Sequence, residues 1–125
     1  MLRSGIPLPE GGAAIVNIAT VVANAPGRGT PAYASSKAGV VALTKTTAKE
    51  LAACGICCNA MLPGWTDTPM SGGENQKHKE AAVLTVPLNM AARPLEVAEA
   101  IKFLCSTASS YVTGAELEVG AGLNI

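Results

Sequence analysis

Short apolar runs alternate along this chain with longer stretches of helical periodicity. Residues 13–20 form a run rich in β-branched side chains, and residues 56–62 form a second run that stops at a Pro-Gly pair. Both runs are too short for a core helix and are bounded by glycine or proline, which predicts two buried strands. Residues 115–122 predict a third short strand that closes the chain.

Two helices are predicted between these strands. Residues 32–53 repeat apolar side chains at helical spacing with no internal proline. Residues 94–106 predict the second helix, with Pro94 in the first turn, where its missing N–H has no intrahelical partner to lose. The segment before it, residues 71–93, is polar at first and is predicted to be irregular with one short helix.

The order strand, helix, strand, insert, helix, strand predicts an α/β fold with about three parallel strands and crossover helices. At 125 residues the chain is one domain at most. Parallel sheets are normally buried within something larger. We therefore expect the C-terminal part of a doubly wound, Rossmann-type sheet, with one strand edge left to pair.

The charge balance excludes some partners. Lys plus Arg equals Asp plus Glu at 9 each, so the chain lacks the basic surface that nucleic acid or an anionic membrane requires. No uncharged apolar stretch approaches the roughly 18 residues of a membrane-spanning helix. The first twelve residues contain no apolar core of a signal peptide. These features predict a cytoplasmic protein, or one of the mitochondrial matrix if the source is eukaryotic.

Four cysteines raise the question of a metal site or a disulfide. Cys54 and Cys57 have CxxC spacing, but no second such pair occurs and the chain has one histidine, His78. A tetrahedral zinc site needs four ligands within reach, so we expect no metal. The thiols are predicted to be reduced, and His78, in a hydrophilic stretch, is predicted to be solvated.

Tyr33 and Lys37 are four residues apart at the start of the first helix, so they share one face. An ammonium held near a phenol favours the phenolate, which suits the tyrosine for proton transfer. Thr20 adds a hydroxyl at the end of the preceding strand. Because active sites of open α/β sheets lie at the carboxyl ends of strands, we expect these groups to converge. By itself, however, a Tyr-x3-Lys pair is more typical of a solvated helix face.

The neighbouring phrases change this interpretation. Four sequence motifs resemble, in order and spacing, the short-chain dehydrogenase/reductase family. They are NIAT, then YASSK with its tyrosine thirteen residues after Thr20, then CNAMLPGWTDTPM and YVTGAELEV. Within the family the chain is most similar to the 3-oxoacyl-[acyl-carrier-protein] reductases and to estradiol 17β-dehydrogenase type 8. The resemblance extends over nearly the whole chain from about Gly11.

The resemblance implies a role for each matching residue. Tyr33 matches the tyrosine that exchanges a proton with the substrate oxygen, and Lys37 matches the lysine that assists it and binds the nicotinamide ribose. Thr20 falls where the family usually has a serine that hydrogen-bonds the substrate oxygen. Pro63 and Gly64 match the turn that flanks the nicotinamide.

Further implications concern the cofactor, the substrate and the partners. Thr66 and Thr68 match positions that contact the carboxamide and phosphate side of the cofactor, which would be NADP or NAD. The resemblance implies reduction of 3-oxoacyl thioesters, carried by acyl-carrier protein or as small molecules. It also implies a homo-oligomer, a dimer or tetramer, and a lid over the substrate at residues 71–93.

Departures from the family pattern leave alternatives open. No glycine-rich phosphate-binding turn and no NNAG stretch occur in the sequence, so the adenine-binding half and the catalytic asparagine would lie upstream of Met1. Gly120, Cys57 and Met90 stand where the family usually has other residues. The alternatives are a non-catalytic remnant that associates with full-length subunits, part of a longer enzyme, or a steroid or polyol dehydrogenase.

Three further side chains permit two interpretations each. Asn17 and Asn59 lie inside apolar strands, where we expect them to hydrogen-bond nearby backbone rather than act in catalysis. Trp65 follows the Pro-Gly turn and is equally consistent with a wall of the nicotinamide pocket or with ordinary packing.

Overall fold

The computed structural model describes residues 12–72 and 76–125, and for residues 72–79 it describes no side chains. The predictions for the segment that begins at Met1 and for the His78 side chain lie outside the described residues. The strands are β1 (Ala13–Ile18), β2 (Ile56–Pro63) and β3 (Glu116–Val119). The helices are α1 (Pro31–Leu51), α2 (Pro69–Gly72), α3 (Gln76–Leu84) and α4 (Pro94–Leu104).

The three strands form one parallel sheet in the order β1-β2-β3. Asn17 of β1 lies opposite Ala60 of β2, and Met61 of β2 lies opposite Leu117 of β3. Each strand is followed by a helical crossover before the next, as the alternating pattern predicts. The predicted α/β class and the parallel sheet are therefore confirmed.

Strand β2 lies in the middle of the sheet and is the centre of the core. Residues Cys58 to Leu62 are fully excluded from solvent. Ala60 and Leu62 pack with Val41 of α1 in one apolar cluster. Because successive side chains of a strand point to opposite faces, Asn59 and Met61 point away from α1. The continuous apolar run in the sequence follows from this burial on both faces.

Helix α1 begins at Pro31 and buries a stripe of side chains at helical spacing. The stripe consists of Ala34, Val41, Thr44, Ala48 and Leu51. A short 3-10 turn continues the helix to Cys54, and Gly55 then adopts a positive φ of 70°. That conformation favours glycine because no Cβ opposes it, and it ends the helix where the sequence predicts.

Helix α4 also matches its prediction. Pro94 occupies the first turn, and the Arg93 backbone N–H donates to a Glu96 carboxylate oxygen at 2.7 Å. This bond from the N-cap N–H to the Glu96 carboxylate and the helix dipole both favour an acidic residue in the first turn. The insert before α4 contains α3, which agrees with the predicted short helix. No helix within the described ranges is long and apolar enough to cross a membrane.

Two strand ends differ from the prediction. Strand β1 ends at Ile18 rather than at residue 20, because Thr20 already caps a 3-10 turn. Strand β3 ends at Val119 rather than at residue 122. There the chain turns away, and Ala121 has a positive φ of 52°, which is incompatible with a strand. Apolar pattern alone does not reveal such turns.

The amides of buried Asn59 and half-buried Asn17 have more distant partners than predicted. Asn59 Nδ2 donates to the Val112 carbonyl at 2.8 Å, and its Oδ1 accepts from the Ala115 N–H at 3.0 Å. Asn17 Nδ2 donates to the Thr44 hydroxyl at 2.9 Å. Asn59 bonds to backbone as expected, but the expectation of local partners is wrong for both residues, because the sheet and α1 bring distant polar groups within reach. The expectation that both side chains form hydrogen bonds is confirmed.

The backbone contact between Gly64 and Gly120 yields a test of the fold. A Cβ at Gly64 would lie 2.7 Å from the Gly120 Cα, so we expect Gly64→Ala to lower the free energy of unfolding. The expected loss is about 1–3 kcal/mol, as for other overpacked sites. Urea denaturation with a shared m-value measures it.

Gly39→Ala is the matched control. Gly39 lies within α1, and a Cβ there would meet no heavy atom within 4 Å. We expect this change to raise the free energy of unfolding by roughly 0.5–1 kcal/mol, because alanine loses less backbone entropy in a helix. Equal effects of the two substitutions would contradict the close contact.

Candidate active site

Thr20 lies just beyond β1 and is buried. Its hydroxyl caps the 3-10 turn Val21–Ala23 by accepting from the Val22 N–H at 3.4 Å. The same hydroxyl donates to the Pro63 carbonyl at 3.4 Å. Both bonds are near the upper limit of hydrogen-bond length, so each is weak, and together they direct the hydroxyl toward the 3-10 turn and the end of β2.

Tyr33 and Lys37 share one face of the first turns of α1. The Lys37 ammonium lies 5.9 Å from the centre of the Tyr33 ring, within the range of a cation–π contact. Lys37 Nζ also donates to the Ile18 carbonyl at 3.1 Å. The Tyr33 side chain is 50% exposed. The ammonium is therefore fixed to the end of β1, while the phenol stays accessible.

Thr20, Pro63 and Lys37 are thus joined at the carboxyl edge of the sheet. Lys37 reaches the backbone two residues before Thr20, and Thr20 reaches the end of β2. The predicted convergence of two strand ends and one helix start is present in the structure. The sequence could not predict that the Ile18 carbonyl binds the ammonium, because every residue has a backbone carbonyl.

The Pro63–Gly64 turn lies against the end of β3. The Gly64 N–H donates to the Val119 carbonyl at 2.9 Å, which continues the parallel pairing by one residue. A Cβ at Gly120 would lie 2.9 Å from a methyl carbon of Val21. Glycine at position 120 therefore lets the end of β3 approach both the turn and the residue after Thr20.

Thr66 and Thr68 follow the turn, and their hydrogen bonds stay within the same loop. The Thr66 hydroxyl donates to the Gly64 carbonyl at 3.2 Å. The Thr68 N–H donates to the Ser71 hydroxyl at 2.9 Å, and that hydroxyl lies 2.9 Å from the carbonyl oxygens of both threonines. Ser71 therefore fixes this loop, a role that its polar surroundings in the sequence do not indicate.

Trp65 lines an apolar cavity of about 250 Å³ rather than the Tyr33–Lys37 crevice. The walls come from the end of β3 and from the segment before α4, and include Val86, Leu88, Met90, Val119 and Ala121. Neither Tyr33 nor Lys37 lines this cavity. The structure therefore places Trp65 away from Tyr33 and Lys37, and a contact between Trp65 and a nicotinamide stays a prediction.

The four cysteines are free thiols. Cys58 is buried within β2, and this burial raises the pKa of its thiol. Among residues 12–72 and 76–125, no three His, Cys, Asp or Glu side chains are grouped closely enough to hold a metal ion.

The comparisons with known proteins agree with this geometry. A family model described as Enoyl-(Acyl carrier protein) reductase matches residues 1–124. The chain belongs to this family of short-chain dehydrogenases/reductases.

Individual relatives agree with the family match. A (3R)-3-hydroxyacyl-CoA dehydrogenase of Rattus norvegicus is 43% identical over 90% of this chain and 44% of its own length. A 3-oxoacyl-[acyl-carrier-protein] reductase of Thermotoga maritima is 46% identical over 89% of this chain and 45% of its own length. The chain therefore spans less than half the length of these relatives.

A solved structure extends the likeness to the fold. The crystal structure of 3-oxoacyl-[acyl-carrier protein] reductase from Brucella melitensis superimposes with a TM-score of 0.85 at 34% identity. The match covers 90% of this chain and 42% of the other. The three parallel strands thus correspond to part of a Rossmann-type sheet.

Glu116, the first residue of β3, gives a test by pH. Its carboxylate is 2.5 Å from Lys45 Nζ and accepts from Asn24 Nδ2 at 2.8 Å. Lys45 first, and Asn24 second, hold the pKa of Glu116 below its ordinary value of 4.5. A lowered folded-state pKa adds stability that is complete above the unfolded value and is lost as pH falls.

We therefore expect wild type and Glu116→Gln to differ most in unfolding free energy at neutral pH. The difference should shrink as pH falls below 4.5, where the carboxylate becomes protonated. Urea denaturation across a pH series measures it. In a Lys45→Met background, Glu116→Gln should change the unfolding free energy less, because Lys45 is the main cause of the lowered pKa of Glu116. A difference that does not change with pH would contradict the assignment.

Proposed function

We propose that this chain provides the proton-transfer site of an NAD(P)-dependent reductase that converts 3-oxoacyl thioesters to 3-hydroxyacyl thioesters. The observation that carries the proposal is the position of the Lys37 ammonium. It lies between the Tyr33 ring, at 5.9 Å, and the carbonyl of Ile18, at 3.1 Å, two residues before Thr20. A charged donor beside a phenol at the carboxyl edge of a parallel sheet is suited to support proton transfer there.

Each side chain has a separate task in this proposal. Tyr33, half exposed, donates its hydroxyl proton to the substrate oxygen during reduction and takes it back in the reverse direction. The Lys37 charge stabilises the phenolate that remains. Thr20 exchanges its long bond to Pro63 for a hydrogen bond to the same substrate oxygen, which orients it.

NADP or NAD would bind beside this site. Lys37 offers an ammonium donor to the ribose hydroxyls, and Pro63 and Gly64 form the surface against which a nicotinamide would lie. Thr66 and Thr68 border the same turn, at the carboxamide and phosphate side. When bound, the cofactor supplies the hydride. Lys37 and the Pro63–Gly64 turn are suited to the nicotinamide half of the cofactor. A glycine-rich turn for the pyrophosphate does not occur in the sequence.

The printed names of the relatives support the substrate class. The Thermotoga maritima protein is named for 3-oxoacyl groups on acyl-carrier protein, and the rat protein for 3-hydroxyacyl-CoA. We extend to this chain the 3-oxoacyl thioester that these names share. A lid at residues 71–93 belongs to the same proposal and is supported by two helices, α2 and α3, placed after the Pro63–Gly64 turn. Homo-oligomerisation and a cytoplasmic location stay predictions.

The edge of β1 favours a second candidate, a non-catalytic chain that associates with longer subunits. Within the described ranges, β1 pairs with β2 alone, so its outer edge offers unpaired N–H and C=O groups. Ile15 and Ile18 of this strand remain 37% and 43% exposed. Exposed apolar residues on an open strand edge are suited to association.

Binding of the cofactor is tested with Lys37→Ala. Trp65 is the single tryptophan of the chain, and its emission overlaps the absorption of a reduced nicotinamide, so energy transfer to NADPH or NADH reports binding near the turn without direct contact. We expect NADPH or NADH to quench wild type saturably and Lys37→Ala much less, because the ribose loses its donor. Lys49→Ala, in the last turn of the same helix, should bind like wild type. No quenching of wild type by either cofactor would contradict the proposal and favour the second candidate.

Proton transfer is tested with Tyr33→Phe. We expect turnover of acetoacetyl-CoA to fall about 10²–10⁴-fold, the usual contribution of a general acid, with cofactor binding retained. Tyr111→Phe is the matched control, since Tyr111 is the only other tyrosine of the chain and is fully exposed. Equal turnover of Tyr33→Phe and wild type would rule out the role of Tyr33.

A further inference from the structure

The turn that follows Thr20 controls the direction of its hydroxyl. This 3-10 turn, Val21–Ala23, begins at Thr20 and ends at Asn24, and it buries only Val21. The Ala23 N–H donates to the Thr20 carbonyl at 3.0 Å, and the Asn24 N–H donates to the Val21 carbonyl at 3.1 Å. Because the Thr20 hydroxyl accepts from the turn's Val22 N–H, a shift of the turn would redirect the hydroxyl.

Four polar side chains hold this turn against β3. They are Asn24, Glu116, Glu118 and Asn124, and we call them the β3 clamp. Asn24 Nδ2 donates to Glu116 at 2.8 Å and to Glu118 at 3.0 Å. Asn124 Nδ2 donates to Glu118 at 3.1 Å and to the Val21 carbonyl, in the middle of the turn, at 3.1 Å.

The geometry of β3 explains why both carboxylates take part. Glu116 and Glu118 are two residues apart on one strand, so they point to the same face. That is the face toward α1, because Glu116 also pairs with Lys45 of that helix. Asn24 lies 92 residues before Glu116 in the chain. The contact therefore comes from the sheet and the chain turn at Gly120, and no local pattern encodes it.

The hydrogen bonds of the β3 clamp restrict the orientation of Asn24 more than they add to the free energy of unfolding. Asn24 is exposed, and its bonds to both glutamates are accessible to water, which weakens each of them. Their acceptors are carboxylates, which form shorter and more directional bonds than neutral oxygens. Two such bonds on one amide restrict the orientation of the residue that ends the turn.

We infer that Asn24 and Glu118 are positioning residues, which hold the Thr20 hydroxyl in one orientation through the turn. Neither residue belongs to the proposed proton-transfer set of Thr20, Tyr33 and Lys37. The inference rests on the proposed function for its catalytic meaning, since an oriented Thr20 hydroxyl assists turnover only if Thr20 contacts the substrate oxygen. The orientation itself is independent of turnover and can be measured without it.

The test compares Glu118→Ala with Glu118→Gln. Glutamine keeps an oxygen that accepts from both amides, whereas alanine removes it. Three-bond couplings of the Thr20 methyl group, measured by NMR, report the χ1 rotamer populations of Thr20. We expect one dominant rotamer in wild type and Glu118→Gln, and rotamer averaging in Glu118→Ala. Asn24→Ala, which removes the donor instead of the acceptor, should give the same averaging.

Turnover provides the second measurement. In Glu118→Ala we expect kcat for acetoacetyl-CoA to fall on the order of tenfold with the cofactor Kd unchanged, and Glu118→Gln to restore it. The control is Glu99→Ala, which removes an exposed carboxylate bonded to Lys102 on α4. It should leave both the Thr20 rotamer and kcat as in wild type, even if its effect on unfolding free energy is similar.

The outcomes separate the inference from the proposed function. Rotamer averaging in Glu118→Ala and Asn24→Ala, with a lower kcat, supports both. Rotamer averaging in a chain whose wild type has no turnover supports the positioning and contradicts the proposed function. One unchanged Thr20 rotamer in both variants overturns the inference whatever the turnover. Averaging that leaves a measurable kcat unchanged also overturns it, because the orientation would then have no catalytic role.

Discussion

The burial of β2 on both faces is the constraint on which the rest of the structure depends. A strand paired on both edges and covered on both faces has no solvated side, so residues Cys58 to Leu62 are excluded from water. Parallel pairing then brings the carboxyl ends of all three strands to one edge. The Thr20–Pro63 bond and the Gly64–Gly120 contact both lie at this edge.

The carboxyl edge of the sheet has a closely packed part, between β2 and β3, and a polar part, between β1 and α1. Between β2 and β3 the backbones approach so closely that a Cβ at Gly64 would clash with the Gly120 backbone, whereas a Cβ at Gly120 would clash with a methyl group of Val21. Between β1 and α1 the chain instead keeps a hydroxyl, a phenol and an ammonium, and the ammonium is satisfied by the Ile18 carbonyl. A charged group at a partly buried edge needs such a partner. The same bond that satisfies Lys37 also fixes it near Tyr33.

Local patterns predicted the elements well and their polar partners poorly. The bounds of α1 and α4 follow from helical spacing, Pro94 and Gly55, all of which act within a few residues. The partners of Asn17 and Asn59 lie 27 and more than 50 residues away, so nothing near them in the sequence identifies them. Gly120, which looks like a departure from a family pattern, is explained by the Val21 methyl group, which would lie 2.9 Å from a Cβ at position 120.

The sequence by itself determined the α/β class, the parallel order of the strands and the pairing of Tyr33 with Lys37. These depend on alternation of apolar runs and on the four-residue spacing of a helix, which are local properties. Tertiary structure alone decided that Lys37 meets the Ile18 carbonyl, that Trp65 faces a separate cavity and that Asn24 meets two glutamates of β3. These contacts join residues distant in the chain, and their geometry arises only when the sheet closes around β2.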